Sequence, residues 1–275
     1  MKFTAHNILL GDGTKTMGDG HILFSESELW KSIVKTLDLF FPGTKEERKK
    51  VKVVDLGSLE GGYAVELAKL GFDTLGIEAR EENIAKCNHV KDSLNLSNLK
   101  FVKDDARNIA NYGNFDIVLC YGLLYHLNDP INFIKTMSSC NSKLMLLHTH
   151  FAPERDIRYG LGFLNTYFIA PIQKRTKILE FTKNWRLSAI TRNEGYRGRW
   201  LKEYNKNASK KKIEKLLWSS YNNDQSFWLC KKDLTTALHE AGYDSVFEQF
   251  NYTGDIIPHN NNYHYKRGMF VALKH

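Results

Sequence analysis

Between residues 51 and 151 the chain alternates two hydrophobic patterns. Short apolar runs at 52–57, 73–79, 99–106, 115–122 and 143–151 read as buried strands. Between them, residues 61–71, 81–94 and 131–140 place apolar side chains three and four apart, the spacing of an amphipathic helix. The ends carry helix punctuation. Gly71 suits a C-terminal stop, Glu81 and Glu82 fall in a first turn, where the helix dipole favours acids, and Asp129-Pro130 supplies an N-cap followed by proline at the first helical position. Strands alternating with helices at this spacing predict a parallel sheet covered on both faces.

The flanks follow other rules. Residues 7–17 predict a small hairpin around the turn GDGT, and 26–41 a helix through Leu29, Trp30, Ile33, Val34, Leu37 and Phe40, stopped by Pro42-Gly43. Residues 152–228 break the alternation. They are rich in Arg, Lys and aromatics, with one clear helix near 208–218. A helix at 231–243 and strands at 245–252 and 267–275 then predict an antiparallel hairpin at the sheet edge. The expected organisation is an α/β, doubly wound core (51–151) preceded by a hairpin and helix (1–50). An α-rich insertion follows strand five (152–228), and a C-terminal helix and hairpin complete the core (229–275).

Charge sharpens this picture because it is uneven. The formal net charge is +8, yet residues 151–232 hold 18 basic against 7 acidic side chains, while the rest of the chain is near balance. Such an excess suits a local site for an anionic partner, and equally a solvated lysine-rich surface. The four cysteines, Cys87, Cys120, Cys140 and Cys230, form no CxxC pair, so a zinc ribbon or disulfide framework is not expected. No run of eighteen apolar residues and no secretory leader pattern is visible, which predicts a cytoplasmic protein without membrane contact, monomeric or homodimeric.

The densest chemistry lies at Val53-Val54-Asp55-Leu56-Gly57-Ser58-Leu59-Glu60-Gly61-Gly62, where the first strand turns into the first helix. Gly57 and Gly61 permit a tight turn and close approach of a ligand, and the helix N-terminus offers unpaired N–H groups. About twenty residues on, Glu78 ends the second strand, where a carboxylate can bind both ribose hydroxyls. Asp105-Ala106 ends the third strand, where an Asp can accept from an adenine amino group. These residues resemble the class I S-adenosylmethionine (SAM)-dependent methyltransferases over residues 51–150 and 232–275. The resemblance implies a seven-stranded, mostly parallel sheet with an antiparallel C-terminal strand. It also implies SAM as cofactor, held by Asp55, Gly57, Ser58, Gly61, Glu78, Asp105 and Ala106, with Cys120 and Tyr121 at the end of strand four. One departure is that the usual middle glycine of the turn is Leu59. A nicotinamide fingerprint would need G-x-G-x-x-G, and no glycine stands two residues after Gly57.

The acceptor side is less determined. Tyr125 and His126 follow strand four, which in this family lines donor and acceptor alike. His148 and His150 alternate at the end of strand five, so they share a face. All three histidines are candidate general bases, His150 foremost because it lies nearest the strand end. No metal is expected, although two histidines with Asp129 could ligate one. No Asn-Pro-Pro-Tyr or Asp-Pro-Pro-Tyr follows strand four and no Pro-Cys pair occurs, which disfavours methylation of an exocyclic base amine or of a pyrimidine carbon. In the insertion, Arg197, Arg199 and Trp200 form an Arg-aromatic cluster suited to an anionic or ring-bearing acceptor, or to a packed lid. The expected reaction is O-methylation of a polar small molecule, anionic acceptors included: a sugar, a nucleotide-linked sugar or a secondary metabolite. The alternative is a tRNA or RNA methyltransferase using the basic insertion.

Overall fold

The computed structural model describes residues 1–154, 187–249 and 266–275. Five parallel strands come first: β1 (Lys52–Leu56), β2 (Asp73–Glu78), β3 (Leu99–Lys103), β4 (Phe115–Tyr121) and β5 (Asn141–Phe151). With β9 (Ser245–Gln249) and β10 (Lys266–Leu273) they form one seven-stranded sheet in the order β3-β2-β1-β4-β5-β10-β9. The last strand, β10, runs antiparallel to both its neighbours. The order reverses at β1, so a crevice opens between β1 and β4 at the strand C-termini, where open α/β sheets bind ligands.

Alternation along each strand divides the core in two. Val54, Leu56, Val118, Cys120, Met145 and Leu147 face one side, beneath α5 (Pro130–Ser139) and α7 (Lys231–Glu240). Val53, Ile117, Leu119, Leu144 and Leu146 face the other, beneath α1 (Glu28–Phe40), α3 (Gly62–Lys69) and α4 (Glu81–Leu94). Helix α1 begins where the Ser27 side chain accepts from Trp30 N and buries Trp30, Ile33 and Leu37, as its periodicity predicts. A short α2 (Lys45–Arg48) opens with a Thr44/Glu47 capping box. The N-terminal hairpin is reduced to one bridge, Leu9 to Lys15.

The described part of the insertion, 152–154 and 187–228, differs from expectation, and the α-rich reading over 155–186 lies outside the described residues. That described part is a second, antiparallel sheet of β6 (Thr191–Asn193), β7 (Tyr196–Lys202) and β8 (Gln225–Leu229). Of the helix predicted at 208–218, α6 covers only Lys210–Glu214. The sequence YRGRWLK has no helical stripe. It alternates instead, with Gly198 so tightly covered that a Cβ there would lie 2.3 Å from the Trp228 carbonyl oxygen. Phe227 N donates to Leu127 O and Ala152 N to Leu229 O, which docks this sheet beside the end of the main one. A boundary at 228/229 falls inside β8. Among the described residues no helix is long and apolar enough to cross a membrane.

Candidate active site

The turn after β1 is wound through three left-handed residues: Gly57 (φ 74°), Leu59 (φ 54°) and Gly61 (φ 84°). The conformation aims the Leu59 N–H at Glu78, whose Oε2 accepts it at 2.8 Å, while Glu78 Oε1 accepts from Arg80 N at 2.9 Å. Burial pushes the Glu78 carboxyl up, a shift that these N–H donors only partly offset. Asp55 lies one strand away, 1% exposed, with Oδ2 unpartnered among the described residues. Burial pushes its carboxyl up to about 7. Asp105 is already engaged, accepting from Arg107 Nε at 3.0 Å and Nη2 at 2.7 Å and from Asn222 Nδ2 at 2.6 Å. Burial raises the Asp105 carboxyl, but the Arg107 bonds outweigh it and the net shift is downward.

These strand ends floor a cavity of about 330 Å³, whose lining includes Gly57, Glu78, Asp105, Ala106 and Tyr121. Two walls close it. On one side Glu60, fully buried, accepts from the backbone N–H groups of Thr4, Ala5 and His6 at 2.9–3.0 Å and pairs with Lys86 at 3.1 Å. Burial pushes Glu60 up, yet these donors hold it below the usual carboxylate range. The clasp sets His6 against the cavity, where its Nδ1 accepts from Gly62 N at 2.9 Å and burial lowers its pKa to about 4. On the other side, residues 213–223 cross the cavity as a strap. The buried Arg80 guanidinium donates to Ile213 O and Ser219 O at 2.7 and 2.9 Å, with longer contacts to Glu214 O and Ser220 O.

Beyond Tyr121 the cavity reaches Tyr125, His126, His148 and Arg267. His126 Nδ1 lies 2.9 Å from Glu203 Oε1. Glu203 is itself fixed by the Ser226 hydroxyl (2.8 Å) and Ser220 N (3.2 Å). A carboxylate on Nδ1 turns the other ring nitrogen into a proton acceptor. His148 also lines the cavity, but burial, reinforced by Arg267, depresses its pKa well below the ordinary value and makes it a weak base.

Several sequence candidates lie elsewhere. His150 stacks on Trp228 (4.7 Å, 5° between planes) and does not line the cavity. Cys120 is fully buried under the sheet, its thiol pushed up to about 12, because β4 turns that side toward α5. Ser58 is buried, its hydroxyl donating to Asp55 O. Gly61 caps α3, where a Cβ would lie 3.0 Å from the Phe101 ring. Arg197 pairs with Asp233 at 2.9 Å, Arg199 donates to Pro153 O and Ser188 O, and Trp200 packs edge-on against Phe227. None of these three reaches the cavity; the cluster binds the small sheet together. Sequence reasoning missed Glu203, Arg80, Arg267 and His6. A signal existed for Glu203, an acid ending a strand of alternating pattern.

Residues 47–154 match the family described as methyltransferase domain. Among curated relatives, the tRNA U34 carboxymethyltransferase of Campylobacter fetus subsp. fetus is 29% identical over 57% of this chain and 55% of its own length. The ubiquinone biosynthesis O-methyltransferase of Colwellia psychrerythraea is 30% identical over 32% and 37%. The chain thus spans about half the length of the first and about a third of the second. Among solved structures, the N-terminal domain of EvdMO1, in the presence of SAH and D-fucose, superposes with a TM-score of 0.63 at 20% identity, covering 96% of this chain and 88% of that one. Over residues 47–154 the chain thus matches the methyltransferase-domain family, on a doubly wound sheet whose last strand is antiparallel.

Proposed function

We propose that this protein transfers a methyl group from SAM to a hydroxyl of a polar small molecule, with His126 as general base. The observation that carries this reading is that one cavity joins the Glu78 and Asp105 strand ends to His126, whose ring is paired with Glu203. The residues fit the donor. Asp55 Oδ2 and Tyr121 Oη are buried polar atoms without partners among the described residues, and Gly57 stands in a left-handed turn that side chains disfavour.

When bound, SAM supplies a methyl already activated by the sulfonium. The chain's residues have the tasks of holding and positioning. In this reading Glu78 accepts from the ribose hydroxyls, and Ala106 packs on the adenine beside Asp105. Asp55 does not line the cavity; buried just before the Gly57 turn, its carboxylate acts on a positively charged donor through its charge. His126 would take the acceptor's hydroxyl proton while the methyl passes to that oxygen, the S–C bond breaking as the O–C bond forms and the thioether leaving, and Glu203 would stabilise the imidazolium that results. The D-fucose present with the EvdMO1 domain supports a sugar-sized acceptor for a cavity of this volume.

A second reading, methylation of RNA, is supported by the name of the Campylobacter relative and by an exposed ridge of Lys206, Lys210, Lys211, Lys212 and Lys215 beside the strap. The loss of Arg197, Arg199 and Trp200 to internal packing weakens it. Labelled SAM with fractionated cell extract tests both. Label in the metabolite fraction, indifferent to salt, supports the first reading. Label in the tRNA fraction, with binding that falls steeply between about 50 and 200 mM salt, overturns it.

A further inference from the structure

We propose that Arg267 receives an anionic group, a carboxylate or a phosphate, carried by the acceptor; this rests on the methyl-transfer reading above. Arg267 lies on β10 opposite His150, three strands from β1 in the sheet order. Its guanidinium reaches back over the end of β4. Nη2 is 3.3 Å from Tyr125 Oη, and the group lies 5.4 Å over the Tyr125 ring. A Cβ on Gly122 would stand 3.6 Å from Nη2.

Three arginines line the cavity, and two are accounted for. Arg80 is saturated by the strap carbonyls and Arg107 by Asp105. Arg267 forms no ion pair among the described residues, and its Nε is buried without a partner there. A partly buried guanidinium among phenols and a neutral histidine is uncompensated charge, a costly arrangement that a bound anion relieves. The planar fork matches a carboxylate or phosphate edge, with the Tyr125 hydroxyl as an added donor. Glu78 and Asp105 mark the adenosine side over β2 and β3. Arg267 lies on the opposite side, against Tyr125, whose ring stands 4.3 Å from that of His126 in the same cavity, the side that this reading assigns to the acceptor.

The test compares the parent with Arg267→Gln and Arg267→Lys. SAH affinity is measured by calorimetry. Succinate and inorganic phosphate are then titrated at constant ionic strength, with and without SAH, and followed by thermal unfolding and calorimetry. In the expected result both anions bind and raise the melting temperature of the parent. Arg267→Gln loses anion affinity by about tenfold or more, Arg267→Lys keeps part of it, and SAH affinity stays within about threefold across the set. A tenfold loss of SAH affinity in Arg267→Gln would assign the anion to the donor's own carboxylate and overturn the proposal. So would anion responses equal in parent and Gln variant, or absent from the parent. Failure of the parent to bind SAH would instead sink the methyl-transfer reading, while the titration without SAH still reads Arg267.

Discussion

Leu59 donates its backbone N–H to Glu78 Oε2 at 2.8 Å from a left-handed backbone, φ 54°. The contact ties the turn after β1 to the end of β2, and it is held by a residue type that disfavours the conformation by about 1–2 kcal/mol. Leu59→Gly is therefore expected to fold and bind SAH at least as well as the parent. Leu59→Val, β-branched and worse in this region, is expected to melt lower, by about 2–4 °C for each kcal/mol lost. Thermal melts of the donor-free proteins decide between them. A valine variant as stable as the glycine variant would show that the turn holds no such strain.

Glu78→Ala removes the acceptor of two backbone N–H groups along with the expected ribose contact. SAH affinity should fall by about tenfold or more. Calorimetry giving parental affinity would remove Glu78 from the donor site.

Asp55 supplies a pH dependence with a definite sign. Its folded pKa, about 7, lies above the ordinary carboxyl value because burial disfavours the charge. Its contribution to stability is thus fully present below about pH 4 and is lost as pH rises through about 7. Glu78, shifted in the same direction, adds to the trend. Asp55→Asn should flatten it, leaving the donor-free variant more stable than the parent at pH 8 by about 4 kcal/mol. The same substitution should weaken binding of SAM more than of SAH, because the donor's sulfonium then meets no carboxylate and the SAH thioether carries no charge. Denaturant titrations from pH 5 to 8 check the first half. Parallel curves for the two proteins would show that Asp55 ionises as freely folded as unfolded.

His126→Ala should lower turnover by about 10²–10⁴ with SAH affinity little changed, and added imidazole should restore part of the rate. Glu203→Gln should lower turnover less, since it orients the ring without touching the acceptor. Full activity in His126→Ala would return the search to His148, or to an acceptor needing no base.

Arg80→Met would leave Ile213 O and Ser219 O without their guanidinium partner. The strap should loosen by about 1–3 kcal/mol. Hydrogen exchange at residues 213–223 should quicken and SAH should dissociate faster. Unchanged exchange would mean that Asn222–Asp105 and Ser220–Glu203 suffice to hold the strap.

The core and the strand ends that floor the cavity were legible in the sequence because their signals are local. A strand, a glycine turn and a helix fall within residues 52–69, and Glu78 and Asp105 each end a strand that hydrophobic alternation already marks. The acceptor side was not legible, for the opposite reason. His126 meets Glu203 across 77 positions and Arg80 meets Ile213 across 133, and neither distance leaves a trace in periodicity. The Arg197–Trp200 cluster misled because composition cannot reveal that Asp233 and two carbonyls already occupy its donors. His150 misled for a similar reason. Its strand position was right, but β8, unpredicted, brings Trp228 over its ring.

The Glu60 clasp has a consequence for how the protein assembles. Residues 4–6 meet a buried carboxylate that stands more than fifty residues along the chain, in the turn after β1. Their docking closes a loop of that length by a few contacts, so it is expected to open before the central sheet does. A protease acting under mild denaturation should clip this arm before it touches the central sheet, and the clipped protein would lose the His6 side of its cavity while keeping its fold.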